Sequence, residues 1–98
     1  MTVLFARMRV KDLAQFERIH ASVEKAHRKF GITELVCHDC ADRLNLTLII
    51  KGKADAINKW LASPEREALA KDLELEAPAT SWIAEELFPE GVYRRDGQ

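Results

Sequence analysis

Apolar and mixed positions alternate in a segment close to the start of the chain. Between Thr2 and Val10, every second side chain is apolar and projects to one face of an extended strand: Leu4, Ala6, Met8 and Val10. The positions between them project to the opposite face and combine an aromatic ring with two cations: Phe5, Arg7 and Arg9. We therefore predict a strand that packs one face on a core and leaves a second, mixed face for a partner or a ligand.

The same alternation returns in the middle of the chain. Over Arg43–Gly52 the leucines share one face with an isoleucine, while Asn45, Thr47 and Ile49 share the other. A further extended segment, Ile32–Cys40, comes before it in the chain, and only two residues connect the two segments. Because so short a connection joins antiparallel neighbours, the pattern predicts a hairpin.

Apolar residues three and four apart predict a long helix between the first two strands. The helix extends over Leu13–Phe30 and begins after Asp12, an N-cap that Gln15 would complete as a capping box. Gly31 ends it, because a glycine readily adopts the left-handed conformation of a helix C-cap.

A second helical segment is predicted over Ala54–Leu73, with an interruption inside it. The interruption is Ser63-Pro64-Glu65. Pro64 suits the first turn of a restarted helix, with Ser63 as its N-cap.

A fourth strand is predicted over Thr80–Phe88, followed by a polar tail, Pro89–Gln98. Which side of this strand faces inward is left open by the pattern. The element order is strand, helix, strand, strand, helix, strand, which is typical of the ferredoxin-like α+β arrangement with a four-stranded antiparallel sheet. We predict one such domain over residues 1–88.

Composition narrows the classes of function. The 98 residues are 47% hydrophobic, which suits one globular domain. With 15 basic and 16 acidic residues the net charge is −1, which argues against nucleic-acid and membrane partners. No apolar run approaches the roughly 20 residues of a membrane span, and a strand directly after the first residue leaves no room for a signal peptide. We expect a cytoplasmic protein with reduced cysteines.

His20 and His27 both lie on the apolar side of the first helix. Two helical turns separate them by about 10 Å along the axis, so we predict that they do not share a metal ion. One interpretation is a pair of half-buried histidines, each hydrogen-bonded at one nitrogen. The other makes His20 an acid or base of a pocket, with its ring oriented by Glu24 one turn further on.

The segment Cys37-His38-Asp39-Cys40 has the cysteine spacing of a zinc site. On a strand, however, an offset of three residues sends Cys37 and Cys40 to opposite faces, unless Cys40 already belongs to the turn. We therefore predict neither a disulfide nor a metal site.

Arg7 and Arg9 are the charges of the mixed face that need a partner. They either form solvated or inter-subunit ion pairs with Glu85 or Glu86 of the fourth strand, or anchor the carboxylate or enolate of a substrate. The other candidate substrate-binding residues offer hydrogen bonds or an aromatic surface: Asn45, Thr47 and Trp82.

Several segments resemble the antibiotic-biosynthesis-monooxygenase-like branch of the dimeric α/β-barrel superfamily. Val10–Phe16 resembles the start of the first helix in that branch, and His20 falls where many of those sequences carry a histidine. Phe30-Gly31-Ile32 resembles the glycine exit into the second strand, and Trp60–Glu65 resembles the F-x-x-S-P-E step of the second helix.

The resemblance implies a homodimer whose two sheets pack face to face, with a pocket inside the barrel or between each sheet and its helices. Relatives include cofactor-independent oxygenases, haem-degrading oxygenases and lactone isomerases. The haem-degrading relatives use an asparagine in the first strand and a histidine in the second half. This chain has Arg7 near the first place and no histidine after His38, so we expect no haem and no other cofactor.

The predicted function is that of a homodimeric small-molecule pocket protein. It would be a cofactor-independent oxygenase or isomerase acting on an acidic aromatic or enolisable compound. Arg7 or Arg9 would stabilise the substrate anion, and His20 would move a proton. The alternative is a non-catalytic binding or stress-related dimer whose mixed face serves assembly alone.

Overall fold

The structure, a computed structural model, describes residues 1–87. Its elements in chain order are β1 (Thr2–Arg9), α1 (Leu13–Phe30), β2 (Thr33–His38), β3 (Asn45–Gly52), α2 (Ala54–Leu61), α3 (Pro64–Asp72) and β4 (Thr80–Glu85). The four strands form one antiparallel sheet in the order β2-β3-β1-β4. This confirms the predicted ferredoxin-like α+β fold. Phe88, placed at the end of the predicted fourth strand, and the predicted tail Pro89–Gln98 lie outside the described residues.

The first helix has the predicted bounds because both of its ends carry local stop signals. Asp12 accepts a hydrogen bond from the Ala14 amide at 2.9 Å, and Gly31 takes the left-handed conformation with φ of 71°. The predicted capping box is wrong. Asp12 caps the amide of Ala14 rather than that of Gln15, and the side-chain oxygen of Gln15 is buried without a partner among residues 1–87.

A sharp corner divides the predicted second helix into α2 and α3. The Ser63 hydroxyl accepts from the Arg66 amide at 3.1 Å and donates to the Trp60 carbonyl at 2.7 Å. Pro64 occupies the first turn of α3, as predicted. Of the helices within residues 1–87, none combines the length and the apolar character needed to span a bilayer.

The hairpin between β2 and β3 is antiparallel, as predicted, but its connection is longer. The strands are joined by residues 39–44 rather than by two residues. The reason is an Asx-type turn, in which the Asp42 carboxylate accepts from the Leu44 amide at 3.0 Å and from the Asn45 side chain at 3.2 Å. Cys37 and Cys40 are free and exposed.

The core lies between the helices and one face of the sheet. Leu4 and Ile50 of the sheet pack in one cluster with Ile57 and Trp60 of α2, and Trp60 is 2% exposed. A second cluster joins the other end of the sheet to α1 and to the end of α3: Val10, Phe16, Leu46, Leu48 and Leu73.

The opposite side of the sheet, here called the open face, carries the mixed residues predicted from the alternation. The strand register places β1 residues beside partners of β3 and β4 and β2 residues beside β3. The open face includes Phe5, Arg7, Arg9, Leu35, Asn45, Thr47, Ile49 and Trp82.

Candidate active site

The sheet lies between the two residues predicted to act together in catalysis. Arg7 belongs to the open face, whereas His20 projects from α1 on the helix side. Within one subunit the sheet separates them, so the structure does not bring the two predicted catalytic residues together.

On the open face, Arg7 is engaged by neighbours in the sheet and in the β2–β3 connection. It donates to the Thr47 hydroxyl at 2.8 Å and pairs with the Asp39 carboxylate at 3.2 Å. Both contacts are substantially exposed to solvent.

Arg9 also forms ion pairs with neighbouring carboxylates. It pairs with Asp42 at 3.1 Å, the carboxylate that also accepts from Asn45, and with Glu76 at 3.1 Å. Within one chain the register sets Glu85 beside Thr2, at the far end of β1 from Arg9, so a pair of these arginines with Glu85 or Glu86 of a partner subunit stays a prediction.

Trp82 also lies on the open face, where it completes an apolar patch. Its ring stacks on that of Phe5, with centroids 5.2 Å apart and planes 11° apart. Trp82 remains 48% exposed and Leu35 58% exposed. The open face thus combines two arginines that already have carboxylate partners with an exposed aromatic and aliphatic surface.

The helix side holds a buried group of titratable residues, here called the histidine–glutamate cluster: His20, His27 and Glu34. Glu34 lies on β2 with its side chain 6% exposed, and one of its carboxylate oxygens is hydrogen-bonded to Nε2 of His20. Nδ1 of His27 lies 3.7 Å from the same oxygen. The predicted orienting role of Glu24 is wrong, because Glu24 instead pairs with Arg28 at 3.1 Å.

The two histidines are closer than their backbone spacing implied. Their ring centroids are 5.9 Å apart, because the imidazoles lean toward each other across the two turns. The prediction that they are too far apart to share an ion is therefore wrong. Aromatic neighbours hold both rings: Phe16 stacks on His20 at 5.3 Å, and Trp60 meets His27 edge-on at 4.7 Å.

The pKa values of the two histidines are shifted in opposite directions. The hydrogen bond to Glu34 raises the pKa of His20, outweighing the opposing effect of burial. Burial lowers the pKa of His27, outweighing the attraction of the Glu34 carboxylate. The Glu34 carboxylate is thus hydrogen-bonded to the histidine whose pKa is raised and lies beside the histidine whose pKa is lowered.

Glu34 also lines a cavity of about 160 Å³ between the sheet and α2 and α3. This helix-side cavity has mainly apolar walls from β1, β3 and α3, including Leu4, Met8 and Leu69. Its second charged residue is Arg66, which forms no ion pair within the part of the chain that the structure describes. The Glu34 carboxylate can accept a proton, and the guanidinium of Arg66, an exposed residue, can bind an anion at the same cavity.

A second opening reaches the cluster from the other direction. This outer cleft, of about 390 Å³, lies along α1 and β2 and is lined by His20, Phe16, Glu17 and Arg43. Glu34 faces the helix-side cavity, and its hydrogen-bond partner His20 faces the outer cleft. The pair therefore connects an apolar cavity to solvent through one hydrogen bond.

Sequence reasoning missed Glu34, Trp60 and Arg66 as residues of the site. A signal for Glu34 was present, since it occupies a position between Ile32 and Val36 on the inward side of the β2 alternation. A charged residue among inward apolar positions is unusual unless it is paired. Arg66 lines the cavity from the first turns of α3, whose direction after Ser63 the sequence alone does not predict.

The fold is shared with solved structures of antibiotic biosynthesis monooxygenases. One such structure has a TM-score of 0.74 at 13% identity, over 89% of this chain and 99% of the other. A variant of SnoaB, a cofactor-independent oxygenase from Streptomyces nogalater, gives 0.75 at 16% identity, over 89% and 93%. Rv0793 from Mycobacterium tuberculosis gives 0.72 at 13% identity, over 89% and 95%. At these identities the structural similarity shows the fold alone.

Sequence comparisons add no closer relation. No family model matches the chain, and no curated protein sequence matches it. The fold expected from the resemblance to the monooxygenase-like branch is nevertheless the fold found.

Proposed function

We propose that the chain is a homodimeric protein that binds a small acidic aromatic or enolisable molecule in the helix-side cavity. There it acts as a cofactor-independent isomerase or oxygenase through proton transfer. The observation that carries the proposal is the position of Glu34. Its buried carboxylate forms part of an apolar cavity wall and is hydrogen-bonded to His20, which opens to the outer cleft.

The proposed first step uses Glu34 as the base. Its carboxylate accepts a proton from a carbon next to a carbonyl group of the bound molecule, and the electron pair of that C–H bond forms an enolate. The Arg66 guanidinium binds the resulting anion. Because His20 joins Glu34 to the outer cleft, a proton can leave toward solvent or return from it.

The second step decides between the two activities. In an isomerisation, the proton returns to a different carbon and no further reactant is needed. In an oxygenation, molecular oxygen oxidises the enolate carbon from CH2 to a carbonyl, and its second oxygen atom leaves as water. The shared fold with SnoaB supports the oxygenation. The isomerisation is supported because it needs proton transfer alone and no further reactant.

The homodimer would form through the open face. Trp82 and Leu35 are about half exposed, and large apolar groups grouped on one surface favour association. The paired Arg7 and Arg9 would then lie within or beside the contact as ion pairs rather than as substrate anchors. A non-catalytic dimer is the second candidate function, and the same exposed patch favours it.

Hydrogen–deuterium exchange at carbon tests the proton transfer directly. A panel of hydroxyaromatic carboxylates and 1,3-diketones is incubated with the protein in D2O, and loss of the C–H signal is followed by NMR. We expect at least one compound to exchange faster than in buffer, and Glu34→Gln to lower its rate about 100-fold.

Glu24→Gln is the matched control, because it removes one carboxylate from the neighbouring surface of α1 and should leave the rate unchanged. Equal exchange rates in the native protein and Glu34→Gln would contradict the proposal. If no compound exchanges faster than in buffer, the non-catalytic dimer is favoured instead.

A further inference from the structure

We propose that His20, His27 and Glu34 form a binding site for one divalent transition-metal ion of the zinc type. One ligand atom from each residue lies within 4.8 Å of the other two. The ligands of a tetrahedral zinc ion, with bonds of about 2.0–2.1 Å, lie about 3.3 Å apart. The widest of the three separations would therefore have to close by up to about 1.5 Å for the side chains to bind an ion.

His27 supplies an independent observation, because it is buried without a hydrogen bond. Its side chain is 7% exposed, and Nδ1 lies 3.7 Å from the Glu34 carboxylate, beyond hydrogen-bond distance. Nε2 is buried and has no partner among residues 1–87. An ion beside Glu34 would give Nδ1, which has no hydrogen bond among residues 1–87, a partner.

The chemistry of the three ligands selects the class of ion. Two imidazoles and one carboxylate form a set that zinc uses at sites that keep a coordination position open. Calcium and magnesium prefer oxygen ligands and are disfavoured by the two nitrogens. The open position would face a cleft of about 280 Å³ whose lining includes Ile32 and Thr33.

The cluster is held on rigid elements. The two histidines lie on α1, and the left-handed Gly31 turns the chain so that Glu34 on β2 comes back beneath them. Trp60 contacts the His27 ring from the core side, and Phe16 contacts the His20 ring. Ligands fixed in this way lose little conformational freedom when an ion binds.

Metal binding would compete with the proposed proton transfer. An ion bound to the Glu34 carboxylate occupies the lone pair that would accept a proton. The inference does not depend on the proposed function, however, since it requires no organic ligand and no turnover.

Titration of the metal-free, untagged full chain with Co²⁺ and Zn²⁺ tests the site. The exposed segment from Cys37 to Cys40 could bind the same ions, so a background of Cys37→Ser, His38→Asn and Cys40→Ser removes it first. In that background we expect one Zn²⁺ per chain by calorimetry. We also expect a visible Co²⁺ absorption band of a low-symmetry site with nitrogen ligands.

Ligand substitutions locate the ion. Loss of a group that merely supports a metal ligand weakens binding 10–100-fold, so loss of a ligand should weaken it by about 100-fold or more. We expect this for His20→Gln, which is partly exposed and retains a polar side chain, and for His27→Gln and Glu34→Gln. Glu24→Gln, which lines the same cleft, should bind zinc as the background protein does.

Circular dichroism identifies variants that do not fold, and His20→Gln keeps the test decisive if His27→Gln is one of them. The proposal is overturned if the background protein binds no Zn²⁺, or if folded His20→Gln and Glu34→Gln bind it as tightly as the background. Failure of zinc binding with retained carbon exchange would overturn this site alone. Zinc binding together with no carbon exchange in the metal-free protein would instead overturn the proposed function alone.

Discussion

The two faces of the sheet carry charged residues among apolar ones in different ways. On the open face, Arg7 and Arg9 are partly exposed, and each has carboxylate partners at 3.1–3.2 Å. On the helix side, Glu34 is 6% exposed and shares one carboxylate with two histidines of opposite pKa shift. An exposed ion pair contributes little to the free energy of folding and is easily replaced. A buried carboxylate is costly unless it is paired, so its position beside a cavity calls for an explanation. On this comparison we assign the proposed chemistry to the helix side and the proposed assembly to the open face.

The two tryptophans allow the largest test of this comparison. Trp60 is 2% exposed against His27 and Phe30, whereas Trp82 is 48% exposed on the open face. We expect Trp60→Ala to lower the free energy of unfolding by about 3–5 kcal/mol at every protein concentration. Urea denaturation measures this effect. A loss below about 1 kcal/mol would show that the core is not built around this residue.

Assembly through the open face is tested by adjacent residues of β4. Trp82 and Ile83 are similarly exposed, at 48% and 52%, but project to opposite faces of the sheet. We expect Trp82→Glu to convert a dimer to a monomer in light scattering, because it places a carboxylate in the apolar patch. Ile83→Glu should remain dimeric. The assignment is contradicted if Ile83→Glu dissociates the dimer while Trp82→Glu does not.

The corner between α2 and α3 predicts a smaller effect. Ser63 caps α3 and is buried at 4%, and the corner directs Arg66 toward the helix-side cavity. Ser63→Ala should lower the free energy of unfolding by about 1 kcal/mol, the usual cost of losing an N-cap. Ser22→Ala on exposed α1 is the control and should change it little. Equal losses in the free energy of unfolding for Ser63→Ala and Ser22→Ala would show that the corner contributes no more to stability than an exposed serine does.

The smallest predicted effect concerns the pH dependence of the open face. The hydrogen bond from the Leu44 amide, with a further contribution from Arg9, holds the pKa of Asp42 below its ordinary value. The stabilisation is therefore present above the unfolded-state pKa and is lost as the pH falls through the lower, folded-state pKa. NMR titration should show the Asp42 pKa rising only in part in Arg9→Gln. A full return to the ordinary value would mean that the Leu44 bond is not the main cause.

Local signals in the sequence predicted most of the fold. The Asp12 cap, Gly31 and the Ser63-Pro64 corner each act within a few residues, so their effects could be read along the chain. The alternation in β1 and β3 likewise defined the two faces, because side-chain direction in a strand depends only on residue parity.

The site could be predicted only in part because its contacts are distant in sequence. His20 was identified, but its partner Glu34 depends on how β2 packs under α1. The partners of Arg7 and Arg9 depend on strand register and on the β2–β3 turn, neither of which is fixed by composition. Whether Arg66 or an open-face arginine binds an anion is decided by which side of the sheet holds the cavity.

The most direct test of the account compares Arg66 with Arg7. Binding of hydroxyaromatic carboxylates is measured by thermal shift and calorimetry for the native protein, Arg66→Gln and Arg7→Gln. A ligand stabilises the protein in proportion to its affinity, so the account predicts that Arg66→Gln loses the shift while Arg7→Gln retains it. Loss of binding in Arg7→Gln with retention in Arg66→Gln would contradict the account and place the ligand on the open face.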